Sequence, residues 1–391
     1  MARLLARRTF SLVLLLTMAG ASAALVDVLL AASPARYSAR FANGERFEGD
    51  DLTDWHKPAG DPKLNGRRLL DPANPLRWLV NRSLPLPTHP QQFVETFSGD
   101  RIPGTVTSYS TGDTSFHEQL PPHFLVQQPT PGRAGPANVD APYRVAAKWI
   151  RRIVWDRRRE YQYRPQSVFL RDGGRLHFRV ARYSDSAVTL LLDEGTRTVR
   201  YSEIAEMHFP ERNAWELYLD ELALLAAVDT TPPSGPAALS RLMQVETTHG
   251  LVATTSLARL RPRTNADPKL IDRWLHGIQP AWSLDTIWIR HGDIRVRRLF
   301  ATNEVPLSRL FPVSSSHVSA LGGSPWPAQV NTNARGGPLR CRDGDYGWGF
   351  GVHATSELRF ALWPLVSAFR TGIGLDRLAG KGGCIRAPII H

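Results

Sequence analysis

The 391-residue sequence predicts a mainly β protein: small SH3-like or Sm-like barrels or β-meander repeats, followed by a partial β-sandwich. Three observations predict it. A strand–glycine–strand pattern recurs four times along the chain, only one clear stretch has a helical period, and the C-terminal stretch mixes alternating glycines with aromatic and apolar residues.

The repeat is the main internal signal. Its first copy is Tyr37-Ser-Ala-Arg-Phe41 followed by Gly44-Glu-Arg-Phe-Glu-Gly49, and its second is Phe93-Val-Glu-Thr-Phe97 followed by Gly99-Asp-Arg-Ile-Pro-Gly104. The third is Val168-Phe-Leu170 with Gly173-Gly-Arg-Leu-His-Phe178; a looser fourth is Met243-Gln-Val245 with His249-Gly-Leu-Val252. Each reads as a β-hairpin, in which apolar residues alternate and a glycine supplies the positive φ of a tight turn. The third copy continues through Val188–Leu192, a turn at Asp193-Glu-Gly195, Thr198–Tyr201 and Ile204–Phe209, enough strands for one small barrel. The spacing of the copies is too irregular for a solenoid.

Between the copies, the proline-rich segment 121–144 reads as linker and Thr231–Pro236 as a second break. Asn213 to Ala227 reads as a helix capped by Asn213, with Trp215, Leu219 and Leu222 on one face. Trp282 and Trp288 sit in alternating apolar stretches and are expected in the core. The expected divisions are a leader at 1–23, hairpin repeats at 24–120, linker at 121–144, a barrel plus helix at 145–230, a β-rich domain at 231–318 and the terminal module at 319–391.

The leader reads as a secretory signal, with an uncleaved membrane anchor as the alternative: Arg3, Arg7 and Arg8 precede the apolar stretch Phe10–Met18, and Ala21-Ser-Ala23 offers a cleavage site. Its apolar core is shorter than the ~20 residues a bilayer span needs, and no later segment is apolar enough to cross after cleavage. The protein is therefore expected in the periplasm, at the cell surface or outside the cell. The chain carries a net charge of +12, and the leader removes only three arginines. A basic exported protein points to anionic partners such as acidic polysaccharide, and export argues against nucleic acid. The densest basic run, Arg151, Arg152, Arg157, Arg158 and Arg159, reads as a solvated edge strand or helix face. The two cysteines, Cys341 and Cys384, read as a disulfide, with two buried thiols as the alternative. Closing that loop would contribute about 3–4 kcal/mol.

The most specific stretch is Tyr346-Gly-Trp-Gly-Phe-Gly-Val-His-Ala354, then Leu358-Arg-Phe360, then Phe369-Arg-Thr-Gly-Ile-Gly-Leu-Asp376. Its glycines allow close backbone packing beside strands. The run Gly349–Ala354, Leu358–Phe360 and Gly374–Asp376 resembles the NPCBM/NEW2 domain, a carbohydrate-binding-type module associated with family 98 glycosyl hydrolases. The order of β repeats, Pro280-Ala-Trp-Ser-Leu-Asp285 and this module also resembles exported proteins of planctomycete-type bacteria. The resemblance implies a galactose-binding-like jelly roll and glycan binding without catalysis. The family's module is longer, so an incomplete sandwich with unpaired edges and an exposed apolar face is expected.

A sugar site needs an aromatic platform and a few fixed polar groups. Trp348 and Trp326 can supply the first, and His353, Asp376 and Arg370 the second. His353 and Asp376 also suit structural roles at strand ends and turns. Asp343 and Asp345 have calcium-ligand spacing, but no full calcium loop follows, so no metal or cofactor is expected. The sequence has no nucleophile elbow, zinc-protease motif, phosphate loop or dinucleotide fingerprint. Two non-catalytic classes lead, a glycan-binding protein and a structural or protein-interaction component of the envelope; a glycoside hydrolase accessory or fragment is the third alternative, because paired carboxylates are not readable from the sequence.

Overall fold

Four hairpins with one shared turn geometry organise the chain. In the computed structural model, which describes residues 34–379 apart from 56–60, 88, 115–118, 129–141, 158–160, 227–240, 258–260, 263–274, 319–326, 343 and 354, the fold is mainly antiparallel β. The leader and Cys384 lie outside the described residues. Residues 36–391 form one compact unit.

Repeat 1 comprises β1 (Tyr37–Phe41), β2 (Arg46–Gly49), β3 (Leu52–Thr53), β4 (Lys63–Leu64), β5 (Arg67–Arg68) and β6 (Leu76–Asn81). Repeat 2 comprises β7 (Phe93–Thr96), β8 (Arg101–Pro103), β9 (Thr105–Ser110), β10 (Asp113–Thr114), β11 (Gln119–Leu120), β12 (His123–Gln127), β13 (Tyr143–Ala146) and β14 (Ile150–Val154). Repeat 3 comprises β15 (Ser167–Leu170), β16 (Arg175–His177), β17 (Val180–Tyr183), β18 (Ala187–Leu192), β19 (Gly195–Arg200) and β20 (Ile204–His208). A helix, α1 (Ala214–Ala226), leads to repeat 4: β21 (Arg241–Thr247), β22 (Val252–Ser256), β23 (Arg261–Pro262), β24 (Leu275–Ile278), β25 (Ile287–Arg290) and β26 (Ile294–Ala301).

Every repeat follows one plan. A hairpin opens it, a three-stranded excursion follows, and a last strand returns to pair with the first. The four opening turns superpose in their bonding. The N–H groups of Gly44, Gly99, Gly173 and Gly250 donate to the carbonyls of Phe41, Thr96, Leu170 and Thr247 at 3.0–3.1 Å. Each of these glycines has a φ between +79° and +96°, the left-handed conformation that closes a three-residue hairpin loop. Three-residue 3-10 turns deliver the last strand of repeats 2, 3 and 4.

The hairpins and returning strands join in one 12-stranded sheet of order β16-β15-β20-β14-β7-β8-β22-β21-β26-β6-β1-β2. The order is a mirror. Repeats 3 and 2 meet through their last strands, repeats 4 and 1 do the same, and the two halves join where β8 meets β22 at Arg101 and Val252. The expected closed barrels are not found among the described residues. The excursions form sheets of their own instead of closing each repeat's ladder. The expected linker over 121–144 supplies β12 and β13 to repeat 2.

One face of the large sheet is largely apolar, carrying Val168, Met207, Ile153, Val94 and Ile102 in register and continuing to Val245, Ala253 and Leu79, with the buried Arg297 between Val245 and Leu79 and its guanidinium 5.1 Å from the Trp55 ring centroid. This face and the excursion sheets enclose the main core, with Trp149, Phe124 and Trp282. Trp282 is fully buried as expected, and Trp288 is half-buried.

The opposite face is polar, and it overturns the expectation for the basic run. Arg152 lies on β14, an interior strand, and pairs with Glu95 on β7 and with Glu206 on β20 at 2.9 Å. The guanidinium of Arg151 lies between the rings of Tyr163 and Phe311, 3.8 and 3.6 Å from their centroids. These arginines are structural, and Arg158 and Arg159 fall outside the described residues. Burial pushes the Glu95 carboxyl up, but Arg152, Arg151 and Arg101 together hold it down to about 2.

Asp100 fastens the two halves of the sheet. It is fully buried and accepts hydrogen bonds from Thr254 N–H at 2.7 Å, Thr254 Oγ1 at 2.8 Å, Trp282 Nε1 at 2.9 Å and Gln244 Nε2 at 3.1 Å. Helix α1 is capped by the Asn213 side chain, which accepts the Trp215 N–H at 3.0 Å. Its buried face is Trp215, Leu217, Tyr218, Glu221 and Leu225; Leu219, expected inward, is 43% exposed. Glu221 pairs with the buried Arg309 at 2.8 Å, and burial pushes its carboxyl up to about 7 against the pull of Arg309.

Candidate functional site

The C-terminal residues form a small unit laid on the polar face of the sheet. Its strands are β27 (Ser314–His317), β28 (Gln329–Val330), β29 (Arg340–Cys341), β30 (Gly344–Asp345), β31 (Phe350–Gly351) and β32 (Ser356–Arg359). They pair as three nested two-stranded ribbons, β27 with β32, β28 with β31 and β29 with β30. Among the described residues these ribbons build no two-layered sandwich, and the Phe369–Asp376 stretch, which has strand-like alternation, is paired to none of them.

The innermost ribbon and the glycine run after it make a tongue, residues 344–351, that grips repeats 1 and 4. Asp345 is buried; its carboxylate accepts Arg340 Nε at 2.5 Å and an ion pair from Arg82, while its carbonyl accepts Trp78 Nε1 at 3.1 Å. Burial opposes its charge, but the hydrogen bonds from Arg340 and Arg82 hold its carboxyl below the usual range. With two arginines on it, Asp345 is committed to an ion-pair cluster, and no group of metal-binding side chains occurs among the described residues. Tyr346 packs on Trp78 with centroids 5.7 Å apart, and the Gly347 carbonyl accepts Arg298 Nε at 2.5 Å. A Cβ at Gly351 would stand 2.3 Å from the Thr332 carbonyl oxygen, so backbone crosses backbone there and only glycine fits.

Trp348 is half-buried at the end of this tongue. Its ring meets Phe300 edge to face at 5.7 Å, and the Arg298 guanidinium lies 5.6 Å from its centroid. His353 is exposed just after β31, and its carbonyl accepts the Ser356 hydroxyl at 2.8 Å. Arg370 is exposed. Asp376 is half-buried and accepts the Leu378 N–H at 2.7 Å, opening a short 3-10 turn over Arg377–Ala379. Trp326 lies outside the described residues, as does half of the expected Cys341–Cys384 pair. Gly372 lies over Tyr346, and Gly374 packs against the Cys341 sulfur. The segment bearing Arg370 and Asp376 therefore crosses the base of the tongue that carries Trp348.

Residues that sequence reasoning missed are those that seat the unit: Trp78, Arg82, Arg298 and Phe311, and Trp215 with Trp363. The Trp215 indole donates to the Ala361 carbonyl at 2.7 Å, and its ring lies 6.2 Å from that of Trp363. Four arginines of the unit, Arg335, Arg342, Arg370 and Arg377, are exposed and enter no ion pair among the described residues.

Together these features define a mainly β scaffold of four repeats carrying a small glycine-rich β unit on its polar face. Residues 303–390 match the NPCBM/NEW2 domain, which places that domain at the C-terminal end and starts it at 303, ahead of the expected 319. No curated protein and no solved structure matches the chain.

Proposed function

We propose that the protein is an exported, non-catalytic glycan-binding component of the cell envelope, with residues 303–390 as the binding module and the four repeats as its scaffold. The family match at those residues carries the reading. Each repeat is read as an opened SH3-like unit, and the module as part of a galactose-binding-like sandwich. Trp348, Trp326, His353, Asp376 and Arg370 are the proposed ligand residues. The exposed Arg335, Arg342, Arg370 and Arg377 favour an anionic glycan, since unpaired surface cations attract an opposite charge.

A glycan array tests this. Acidic polysaccharides are expected to bind, more weakly as salt rises, and His353→Ala with Arg370→Ala is expected to abolish binding. Trp348→Ala is read beside a melting curve, because its ring also packs on Phe300. An array blank for the full chain sinks the proposal.

A protein-interaction role is the second reading. One observation favours it: Leu362, Leu365, Phe369, Ile373 and Leu378 are 50%, 82%, 47%, 57% and 74% exposed within one short stretch.

A further inference from the structure

The stretch Phe369-Arg-Thr-Gly-Ile-Gly-Leu-Asp376 has the two-residue alternation of a β-strand. Among the described residues, none from Ser367 to Leu375 enters a hydrogen bond or ion pair. Neither Gly372 nor Gly374 has a positive φ, so neither is needed for a turn. A Cβ on Gly374 would stand 2.7 Å from the Cys341 sulfur, and one on Gly372 4.0 Å from Tyr346. The glycine face therefore rests on the module. Phe369 and Ile373, one step out of phase, are 47% and 57% exposed. A strand with bare N–H and C=O groups is a template for another strand.

We propose that this stretch pairs antiparallel with the same stretch of a second copy of the chain, centred on Ile373. Charge selects the partner and the register. Centred there, Arg370 faces the partner's Asp376 and Asp376 faces the partner's Arg370. Ile373 faces its own copy, and the ladder stops before Arg377, which lies in the 3-10 turn that Asp376 opens. Gly372 faces the partner's Gly374, so the two backbones meet without side chains between them. A slip of one residue sets Arg370 against either the partner's Leu375 or the partner's Arg377, losing both ion pairs and in the second case opposing like charges. A two-fold axis through Ile373 repeats every contact, as in a self-complementary dimer interface.

Sedimentation of the full chain across a concentration series tests the pairing, with no sugar present. The expected result is a dimer. Arg370→Asp alone, or Asp376→Arg alone, raises its dissociation constant by about tenfold, since each sets like charges opposite one another twice. The double variant Arg370→Asp/Asp376→Arg restores the dimer, and Ile373→Pro gives a monomer. A monomer at every concentration overturns the proposal, as does a dimer indifferent to Arg370→Asp, or a double variant that does not recover. Sedimentation reads association alone, so a failure of glycan binding leaves this result standing, and the reverse.

Discussion

The four-repeat body and the C-terminal module handle the same residue types in opposite ways. In the body's sheet, Arg152 is matched by Glu95 and Glu206, and Arg298 by Glu246. Farther into the module, Arg335, Arg342, Arg370 and Arg377 are exposed and enter no ion pair among the described residues, and Leu365 and Leu378 expose apolar surface. The tongue, Phe311, Trp363, the Arg77–Glu304 and Arg309–Glu221 pairs and the packing of Leu310 on α1 tie the module down. Satisfied charge and buried apolar area hold the repeats in one arrangement; unsatisfied charge and exposed apolar area leave the module with free energy still to gain from a partner.

The sharpest way to break the contrast is Asp100→Ala. It strands the Thr254 N–H, the Thr254 hydroxyl, the Trp282 indole and Gln244 at the junction of the half-sheets. The expected loss is on the order of 5 kcal/mol in denaturant unfolding, because each stranded buried group costs about 1–3 kcal/mol. Acid titration gives the next effect. The Glu95 carboxyl is held at about 2 in the folded protein against an ordinary 4.5. Its stabilisation is fully present above pH 4.5 and is lost as pH falls towards 2, an effect on the order of 3 kcal/mol. Glu95→Gln should flatten that part of the stability–pH curve. The smallest effect belongs to the module: Leu365→Ser should change stability by less than about 0.5 kcal/mol, because the side chain is already in water.

Local geometry was legible in the sequence and long-range pairing was not. The glycines at 44, 99, 173 and 250 announce their hairpins because a three-residue loop demands a left-handed residue at its end. Asn213 likewise announces its helix. The run at Arg151 and Arg152 looks solvated in sequence because the carboxylates that neutralise Arg152 lie 57 and 54 residues away. Leu219 falls one turn after Trp215 and so reads as inward, yet Tyr218 and Glu221 take the inner face, where Arg309 waits. In the module the glycine motif identified the family, but not that Trp348 would lean on Phe300, a residue of the last body strand.

The mirror order of the large sheet also fixes a timetable. Repeats 2 and 3 are neighbours in the chain and in the sheet, so their joint, β14 on β20, can form as soon as both are made. Repeat 1, the first to be synthesised, joins the ladder of the large sheet through β6 on β26, near the end of repeat 4. Until that strand arrives, one side of β6 has no ladder, and the closure spans the longest loop in the sheet. The earliest repeat in the chain is thus the last to be joined, and the open edge of β6 is the one that needs protection while the rest of the protein is being delivered.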